Sequence, residues 1–463
     1  MKASAQSPES HSVRLFDQAL LKSILTIAIP VTLQTILFSS KGLVDLIMIG
    51  QLSEHDIAAV GVAGRALFVA TILLSGVTTG GAMLAAQYFG AKDNFGVTRS
   101  AALTWIMASF AALIPVLGFW LFGANIVGLS SQLDVVQSLG HDYLQIAGLS
   151  LFCVAFSGSV AAGLRSMHQA SVSTWLSGIG IVLNIFFNWV FIFGRLGAPE
   201  LGLKGAALAT VLSSVIEVTL TLLYLQIRKH SLRFNRSVIR EAMRLKHATQ
   251  FVRLAIPTTT NFLLWAGGLF TYTAIMGKSS DLGLVVLAVM TPIEAFSLSF
   301  LVGIANASSV IVGNHLGAKN PNLAYKHAMA FTLLAFIVTV IVAITLYLSK
   351  AWVLGMFTAL SEEARALADT FYTIVCFGIV LRSLPTTMVV GVLRAGGDVK
   401  FCLYQDLFTQ WGFGIPLAAI GGLILGLAPE WVFAMFFLET LFKWFACIHR
   451  FRSRKWINSL VSD

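Results

Sequence analysis

The sequence predicts an all-α membrane protein with twelve spanning helices, arranged as two six-helix bundles. Three observations support this prediction. Of the 463 residues, 57% are hydrophobic and only 11% are charged, whereas soluble proteins carry about 25% charged residues. The apolar residues form runs long enough to cross a bilayer, which takes about 20 residues. Motifs from the first half of the chain also recur in the second half. The composition therefore excludes a set of soluble domains.

Apolar runs divide the chain into an ordered series of predicted spans. They lie near residues 20–49, 57–89, 100–123, 142–164, 172–194 and 205–226, then near 253–277, 283–314, 327–348, 367–393, 401–426 and 429–449. We therefore expect a tail over 1–17, a first bundle over 18–227, a linker over 228–250, a second bundle over 251–449 and a tail over 450–463.

The basic residues are concentrated on one side of these spans. That side carries Lys92, Arg165, Arg394 and the basic block Arg228–Arg253, whereas the opposite connections carry few basic residues. Because Lys and Arg accumulate in cytoplasmic loops, both termini and the linker are expected in the cytoplasm, with the chain in the inner (plasma) membrane. This distribution explains the net charge of +10 without a nucleic-acid partner. The tail 1–17 lacks the apolar core of a signal peptide.

The linker Arg228–Gln250 is polar and basic. It also contains the apolar residues Val238, Ile239, Met243 and Leu245. This pattern is compatible with a short amphipathic helix on the bilayer surface. It is equally compatible with a solvated connector between the two bundles.

An internal repeat relates the two halves. Ala28-Ile29-Pro30 recurs as Ala255-Ile256-Pro257, and Gly90-Ala91-Lys92 recurs at the same interval as Gly317-Ala318-Lys319. A weaker similarity links residues 164–165 to residues 393–394. Each half has an even number of predicted spans, so both halves enter the membrane from the same side. The halves should be related by a pseudo-two-fold axis along the membrane normal, and such halves commonly enclose a central cavity.

Several of these segments resemble one transporter family in the correct order. They are the span 1 pattern from Pro30 to the run 45–50 (DLIMIG), the Gly90-Ala91-Lys92 turn and the run 393–398 (LRAGGD). The resemblance is to the multidrug and toxic compound extrusion (MATE) transporters, and it covers nearly the whole chain. It implies cation-coupled export of cationic, amphipathic organic compounds.

An exporter needs an energy source, and no G-x-x-x-x-G-K-[ST] loop for ATP phosphates is present. A gradient-driven exporter needs a group that takes up and releases a cation inside the membrane. A carboxyl group in apolar surroundings can change between its neutral and charged forms near neutral pH, and charged groups within spans are costly and usually functional. The carboxylates within the apolar runs are Asp45, Glu217, Glu294, Asp406 and Glu439.

Asp45 is the first candidate for cation coupling. It lies near the expected external end of span 1, after the candidate hinge residues Pro30 and Gly42. Lys41 lies one turn earlier, at a spacing that allows an ion pair. The resemblance assigns the coupling role to the aspartate at this position. The aligned residue of the second half is Tyr272, so titration is expected only in the first half; the alternative is a purely structural ion pair.

Asn184 and Asn188 are expected on one face of span 5, because they are four residues apart. They resemble the polar pair of the DinF-type branch, in which the second residue is an aspartate in some members. The amide at Asn188 favours protons over sodium as the coupling ion. The NorM-type branch has a glutamate in span 7, where this sequence has Trp265, eight residues after Pro257. Helix–helix hydrogen bonding is the alternative role of the two amides.

Other polar residues within the spans have secondary predictions. Glu439 and Lys443 have the spacing of a structural ion pair, and Asp406 lies close to the cytoplasmic end of span 11. The sequence offers no account of Arg65 and Arg382. Five residues are candidates for lining a cavity or for a secondary role in the site: Lys41, Gln34, Thr210, Glu217 and Glu294.

The sequence therefore predicts a proton/drug antiporter that works by alternating access. A sodium-coupled antiporter and a flippase for lipids or lipid-linked saccharides remain alternatives. The expected partners are small organic compounds, H⁺ or Na⁺ and the lipid bilayer, and a monomer is expected. No cofactor, metal site or enzymatic activity is expected, because the histidines lie in tails, loops or span ends and the cysteines lack metal-ligand spacing.

Overall fold

A computed structural model describes residues 18–129, 133–357 and 361–461, and over these residues the chain is helical without strands. The first half contains span 1 (Gln18–Ile49), span 2 (Glu54–Gly90), span 3 (Asn94–Gly128), span 4 (Asp134–Ala147 and Ser150–Ser166), span 5 (Ala170–Ile192) and span 6 (Gly202–Ile227). The second half contains span 7 (Leu245–Ser279), span 8 (Asp281–Gly317), span 9 (Pro321–Gly355), span 10 (Glu362–Thr386 and Thr387–Leu393), span 11 (Val399–Ile424) and span 12 (Pro429–Arg452).

Hydropathy identifies most of these spans as membrane-crossing. Within the described residues, 10 helices are long and apolar enough to cross a bilayer, and the two helices of span 4 form an eleventh unit with a bend of 41°. Span 7 is more polar, but it has 35 residues and contains the Ala-Ile-Pro motif that also occurs in span 1. The predicted fold class is confirmed.

Span 4 begins earlier than the predicted run 142–164. Its first helix, Asp134–Ala147, is amphipathic, and it carries Gln137 and His141 among apolar residues. Its apolar side is nevertheless buried, through residues such as Val136 and Leu144. A search for continuous apolar runs misses such a helix, because only one face needs to be apolar when the other packs against protein or faces water.

Short polar turns end the spans at equivalent places in the two halves. Lys92 and Lys319 have positive φ angles of 60° and 56°, so each turn leaves the preceding helix in the left-handed conformation. The next helix is then capped by a side-chain oxygen, since Asp93 accepts from the Gly96 N–H at 2.8 Å and Asn320 accepts from the Leu323 N–H at 3.2 Å. The sequence repeat is therefore also a repeat of local structure.

The bundles meet through two pairs of helices that the repeat relates to each other. Span 1 packs on span 8, and span 2 packs on span 7. A Cβ atom at Gly76 would lie 2.4 Å from the Thr259 Cα, and one at Gly303 would lie 1.9 Å from the Thr32 Oγ1. Gly76 and Gly303 share the interval of the sequence repeat, as do Thr32 and Thr259. This reciprocity is what a pseudo-two-fold axis between the bundles requires.

The linker packs partly against the first bundle. It contains the helix Arg236–Ala242, whose Val238 and Ala242 join the buried cluster of the first bundle together with Leu232. Met243 and Leu245 are exposed. The linker is therefore held to the bundle by its own apolar side chains, and only its second half presents apolar groups outward.

Spans 10 and 11 contain π-helical segments. These segments are Thr387–Leu393 in span 10 and Leu407–Gly414 and Ile420–Ile424 in span 11. A π-helical turn adds a residue and leaves backbone groups less regularly paired, and it often occurs where a helix must bend or present a side chain. In this protein the first two segments flank Arg394 and Asp406, which belong to a buried polar network described below.

Candidate functional site: polar clusters inside the two bundles

Asp45 lies between a cation and an amide. The Lys41 Nζ is 2.9 Å from its Oδ2, and the Asn188 Nδ2 donates to its Oδ1 at 2.6 Å. Lys41 and Asp45 are four residues apart on span 1, so the helix itself brings them together, whereas the contact with span 5 depends on packing. The side chains of Lys41 and Asp45 are each 22% exposed. The carboxylate is thus partly reachable while both of its oxygens are engaged.

The side-chain amides of Asn184 and Asn188 in span 5 form the buried part of this cluster. Asn184 and Asn188 are 0% and 1% exposed. The Asn188 Nδ2 lies 3.4 Å from the Asn184 Oδ1, and Asn184 donates to the Thr210 hydroxyl of span 6 at 3.4 Å. The Asn188 Oδ1 accepts no hydrogen bond from the described residues. It is a buried acceptor next to a carboxylate, and a protonated carboxyl has the hydrogen that such an acceptor lacks.

A second polar chain runs from span 1 to span 6. The Gln34 Nε2 donates to the Ser177 hydroxyl at 3.0 Å, and that hydroxyl donates to the Glu217 Oε1 at 2.9 Å. The Glu217 side chain lies over Gly180, where a Cβ atom would come within 2.8 Å of its Oε2. No basic side chain among the described residues lies within ion-pair distance of Glu217. The first bundle therefore holds two carboxylates, Asp45 and Glu217, but pairs only one of them with a cation.

The candidate hinge residues lie in a continuous helix. Pro30 is inside span 1, and its carbonyl accepts a hydrogen bond from the Thr174 hydroxyl at 3.0 Å. Proline cannot donate the backbone hydrogen bond of a regular helix. A Cβ atom at Gly42 would meet no neighbouring atom within 4 Å. Span 1 thus has a weakened backbone position at Pro30, before Gln34, and an uncrowded position at Gly42, after Gln34.

The second bundle holds a larger network, in which two basic and two acidic side chains balance in charge. The Lys443 Nζ lies 3.0 Å from both the Asp406 Oδ1 and the Glu439 Oε1. Asn261 donates to the Asp406 Oδ2 at 2.8 Å, and the Arg394 Nη2 donates to the Asn261 Oδ1 at 2.5 Å. All five side chains are at least 90% buried. The ion pair predicted between Glu439 and Lys443 is present, and Asp406, from another span, shares its cation.

Glu294 does not join the Asp45 cluster. It lies on span 8 and forms an ion pair with Arg382 of span 10, whose guanidinium also stacks on the Phe437 ring at 4.7 Å. The structure thus accounts for Arg382, which the sequence left unexplained. Arg65 has an exposed side chain. The other candidate residues, Gln34, Thr210 and Glu217, are all in the polar clusters of the first bundle.

Sequence reasoning missed Ser177 as a member of the site. It lies two helical turns before Asn184 and therefore on the same face of span 5. The same periodicity that paired the two asparagines would have identified it. Asn261 was also missed, although the repeat interval that relates Pro30 to Pro257 also relates Gln34 to Asn261. No metal-binding cluster of three His, Cys, Asp or Glu residues occurs in the part of the chain that the structure describes.

Comparisons with known proteins agree with this architecture. The MatE family model matches residues 30–190 and 257–420, one match in each half. The chain is 26% identical to the uncharacterized transporter YisQ of Bacillus subtilis over 94% of this chain and 95% of that protein. It is 25% identical to the probable multidrug resistance protein NorM of Bradyrhizobium diazoefficiens, over 92% of each chain.

A solved structure has the same fold. It is described as the outward-facing conformation of a multidrug resistance MATE family transporter of the MOP superfamily. The two structures match with a TM-score of 0.85 and 19% sequence identity, over 95% of this chain and 96% of that chain. The family match covers more than half of the chain, in two segments of which one lies within each bundle. The chain therefore belongs to the MatE family, the multidrug and toxic compound extrusion transporters, and it is a membrane transporter rather than an enzyme.

Proposed function

We propose that the protein exports cationic, amphipathic organic compounds in exchange for protons, and that Asp45 is the coupling group. One observation carries the proposal. The Asp45 carboxylate is partly exposed and is held by Lys41 at 2.9 Å and by Asn188 at 2.6 Å. Protonation removes the charge that the ion pair needs and that strengthens the hydrogen bond from Asn188, so it changes how span 1 is attached to span 5.

The proposed cycle follows from these contacts. With Asp45 ionised, spans 1 and 5 are joined and Lys41 is neutralised. With Asp45 protonated, Lys41 loses its counter-charge, and rotation of the Asn188 amide would offer its Oδ1 to the carboxyl hydrogen. Pro30 and Gly42 are the proposed hinge points where span 1 bends when the ion pair with Lys41 is lost and the hydrogen bond to Asn188 is rearranged. Proton binding and substrate binding then become mutually exclusive, as antiport requires.

Glu217 is the proposed receptor for the cationic part of the substrate. Its carboxylate has a hydroxyl donor in Ser177 but no ion-pair partner among the described residues. The polar clusters of the first bundle therefore carry an excess negative charge when Asp45 is ionised, because Lys41 is their one cation in the described structure. Even a half-buried charge without a partner is costly, and an organic cation would relieve that cost. Gln34 and Thr210 are proposed to line the substrate cavity together with Glu217.

The energetics of proton coupling are sufficient for drug export. One charge moving through 100 mV supplies about 2.3 kcal/mol, and each unit of pH difference adds about 1.4 kcal/mol. In the proposed orientation both termini lie in the cytoplasm, because the basic turns are on their side of the membrane. The protein is proposed to act as a monomer.

The alternatives are less well supported by the charges of the site. A sodium site would have to compete with Lys41, which already occupies the carboxylate. A flippase for phosphate-bearing lipids would need available basic side chains. In the second bundle, however, Arg382 is paired with Glu294, and Lys443 is paired with Asp406 and Glu439. Arg394 is hydrogen-bonded to Asn261.

Efflux from proteoliposomes tests the proposal. Purified protein is reconstituted, and export of a fluorescent organic cation is measured under a pH gradient alone and under a sodium gradient alone. We expect export in the first case only, and loss of at least 90% of it in Asp45→Asn. Asp142→Asn is the control, because it removes an ion pair of similar length, to Lys204 at 3.0 Å, between more exposed side chains.

Three results would overturn the proposal. Undiminished pH-driven export by Asp45→Asn would exclude this residue as the coupling group. Export driven by sodium alone would favour the sodium-coupled antiporter. Movement of a labelled phospholipid between leaflets without drug export would favour the flippase.

A further inference from the structure

The two bundles touch directly at the end of the molecule that carries the turns 91–93 and 318–320. A Cβ atom at Gly90 would lie 1.9 Å from the Asn314 carbonyl oxygen, and a Cβ atom at Gly317 would lie 1.9 Å from the Gln87 carbonyl oxygen. These four residues form two pairs related by the repeat interval. The backbones of spans 2 and 8 are thus in reciprocal contact, at a separation that no side chain other than hydrogen allows.

Gln87 of the first bundle holds a turn of the second bundle. Its side chain is fully buried, and its Nε2 donates to the Ala395 carbonyl at 2.8 Å and to the Asn458 carbonyl at 3.1 Å. Its Oε1 accepts from the Leu460 N–H at 2.6 Å. One glutamine side chain therefore satisfies three backbone groups, in the turn between spans 10 and 11 and in the segment that follows span 12.

Asn314 of the second bundle makes the matching contact in the opposite direction. In the amide orientation that satisfies its neighbours, it donates to the Ala86 carbonyl at 2.6 Å and accepts from the His168 Nε2 at 2.7 Å. His168 lies in the turn between spans 4 and 5, and burial lowers its pKa, which favours the neutral ring. His168 and Gly397 have positive φ angles of 60° and 73°. The turn bound by Asn314 and the turn bound by Gln87 therefore share a backbone conformation.

The segment after span 12 reinforces one of these two contacts. Trp456 is fully buried, and Asn458 donates to the Gly396 carbonyl at 3.2 Å. Leu460 and Val461 then pack against a buried cluster formed mostly by the first bundle, which also includes residues of span 7, and the Gln250 side chain of span 7 donates to the Leu460 carbonyl. The segment Ser453–Val461 thus begins on the second bundle and ends where both bundles meet, since Leu460 contacts Gln87 of span 2 and Gln250 of span 7.

We propose that Gln87, Asn314 and the segment Ser453–Val461 form a clasp that holds this end of the transporter closed. The clasp has two arms, Gln87 and Asn314, and each joins its own bundle to a turn of the other bundle. The proposal rests on the alternating access of the proposed function. The bundles cannot separate at this end unless both arms release. The hydrogen bonds of Gln87 and Asn314 use side-chain amides, backbone groups and the neutral ring of His168, so they can open and close without a change of charge.

Hydrogen–deuterium exchange in nanodiscs tests the clasp without any transport measurement. Gln87→Met keeps the side-chain volume but removes the three hydrogen bonds. Losing them leaves buried carbonyl groups unpaired, which is costly. We expect amide exchange to become about tenfold faster in residues 395–398 and 456–461, and also in residues 88–93 and 315–320. Gln226→Met is the matched control, because Gln226 is an exposed glutamine at the same end of span 6.

A chain that ends at Arg452 and the variant Asn314→Leu provide independent tests. Each should accelerate exchange in residues 88–93 and 315–320, while exchange in the middle of the spans remains slow because the bundles stay folded. If Gln87→Met accelerates exchange only in residues 395–398 and 456–461, Gln87 merely anchors a tail and the clasp is wrong. If transport fails the Asp45 test but these exchange changes occur, the proposed coupling is wrong and the clasp is retained.

Discussion

The Tyr272 hydroxyl donates a hydrogen bond of 2.6 Å to the Glu439 Oε2. Tyr272 is the residue of the second bundle that the repeat aligns with Asp45 of the first. Each bundle therefore has a carboxylate near this position, from Asp45 of span 1 in the first bundle and from Glu439 of span 12 in the second. Glu439 is paired with Lys443 inside a network of balanced charge. Asp45 is partly exposed, and it shares its bundle with Glu217. The two bundles are therefore alike in backbone and unlike in electrostatics.

Removing the cation beside Asp45 should slow export. Lys41→Gln removes the ammonium group that lies 2.9 Å from the Asp45 Oδ2, and a partly exposed ion pair of this kind contributes about 1 kcal/mol. Efflux from proteoliposomes under a pH gradient should therefore fall roughly fivefold. Lys22→Gln, which replaces an exposed lysine of the same helix, is the control, and an unchanged efflux rate in Lys41→Gln would contradict the coupling role of this ion pair.

Stiffening span 1 at Gly42 should slow transport without harming the fold. An alanine Cβ at this position meets no atom within 4 Å, and alanine favours the helix over glycine by about 1 kcal/mol. If span 1 must unwind there, that amount corresponds to roughly a fivefold lower rate. Gly64→Ala on span 2 is matched, because its Cβ is equally uncrowded. Equal rates for the two variants would exclude Gly42 as a hinge.

Removing Lys443 should destabilise the second bundle. Its ammonium group serves two carboxylates, and all three side chains are about 10% exposed or less. Lys443→Met leaves both carboxylates without their cation, which typically costs about 3–5 kcal/mol for a buried pair, and Tm in detergent should fall markedly. Lys204→Met breaks an exposed pair and should cost at most about 1 kcal/mol.

A rescue experiment separates charge from packing at Lys443. Adding Asp406→Asn and Glu439→Gln to Lys443→Met removes the two unpaired charges and should recover much of the lost stability. If the triple variant is no more stable than Lys443→Met, the contribution of Lys443 lies in its packing and not in its charge.

The linker should loosen in acid through His230. Its Nε2 bonds to the Gln169 Oε1 at 2.9 Å, and its Nδ1 accepts from the Leu232 N–H at 3.1 Å, which requires the neutral ring. Burial lowers the pKa of His230 from its usual 6.5. Stabilisation by the neutral ring is therefore complete above about pH 6.5 and declines as the pH falls towards the lower pKa of the folded state.

Amide exchange of residues 231–236 measures this effect. After correction for the intrinsic pH dependence of exchange, protection should be lower at pH 5.5 than at pH 7.5. His230→Gln should abolish the difference between the two pH values. If the wild-type chain shows equal protection at both, protonation of His230 does not loosen the linker.

Much of the fold could be predicted because membrane insertion depends on local sequence. An apolar run is apolar in any packing arrangement, so ten of the spans can be recognised by composition. The pairs Lys41–Asp45 and Glu439–Lys443 could be predicted for the same reason, since a four-residue spacing on one helix sets their geometry. The polar first helix of span 4 was missed because its burial depends on neighbouring helices.

Part of the site needed the packed structure. Nothing local indicates that Asp406 shares Lys443 with Glu439, or that Arg382 pairs with Glu294. These contacts join different spans, and they depend on the rotation of each helix about its axis. The same holds for Ser177, which bonds to Glu217 only because spans 5 and 6 turn those faces towards each other.

By itself the sequence determined the twelve spans, their duplication and the acid of span 1, because hydropathy, repeats and helical spacing are properties of the chain alone. Tertiary structure decided which charges are paired, leaving Glu217 of the first bundle without a cation among the described residues and balancing the network of the second. It also decided that Gln87 and Asn314 bridge the bundles. The physical reason is that hydrogen bonds and ion pairs act over about 3 Å, so they exist only after the helices have taken their final positions.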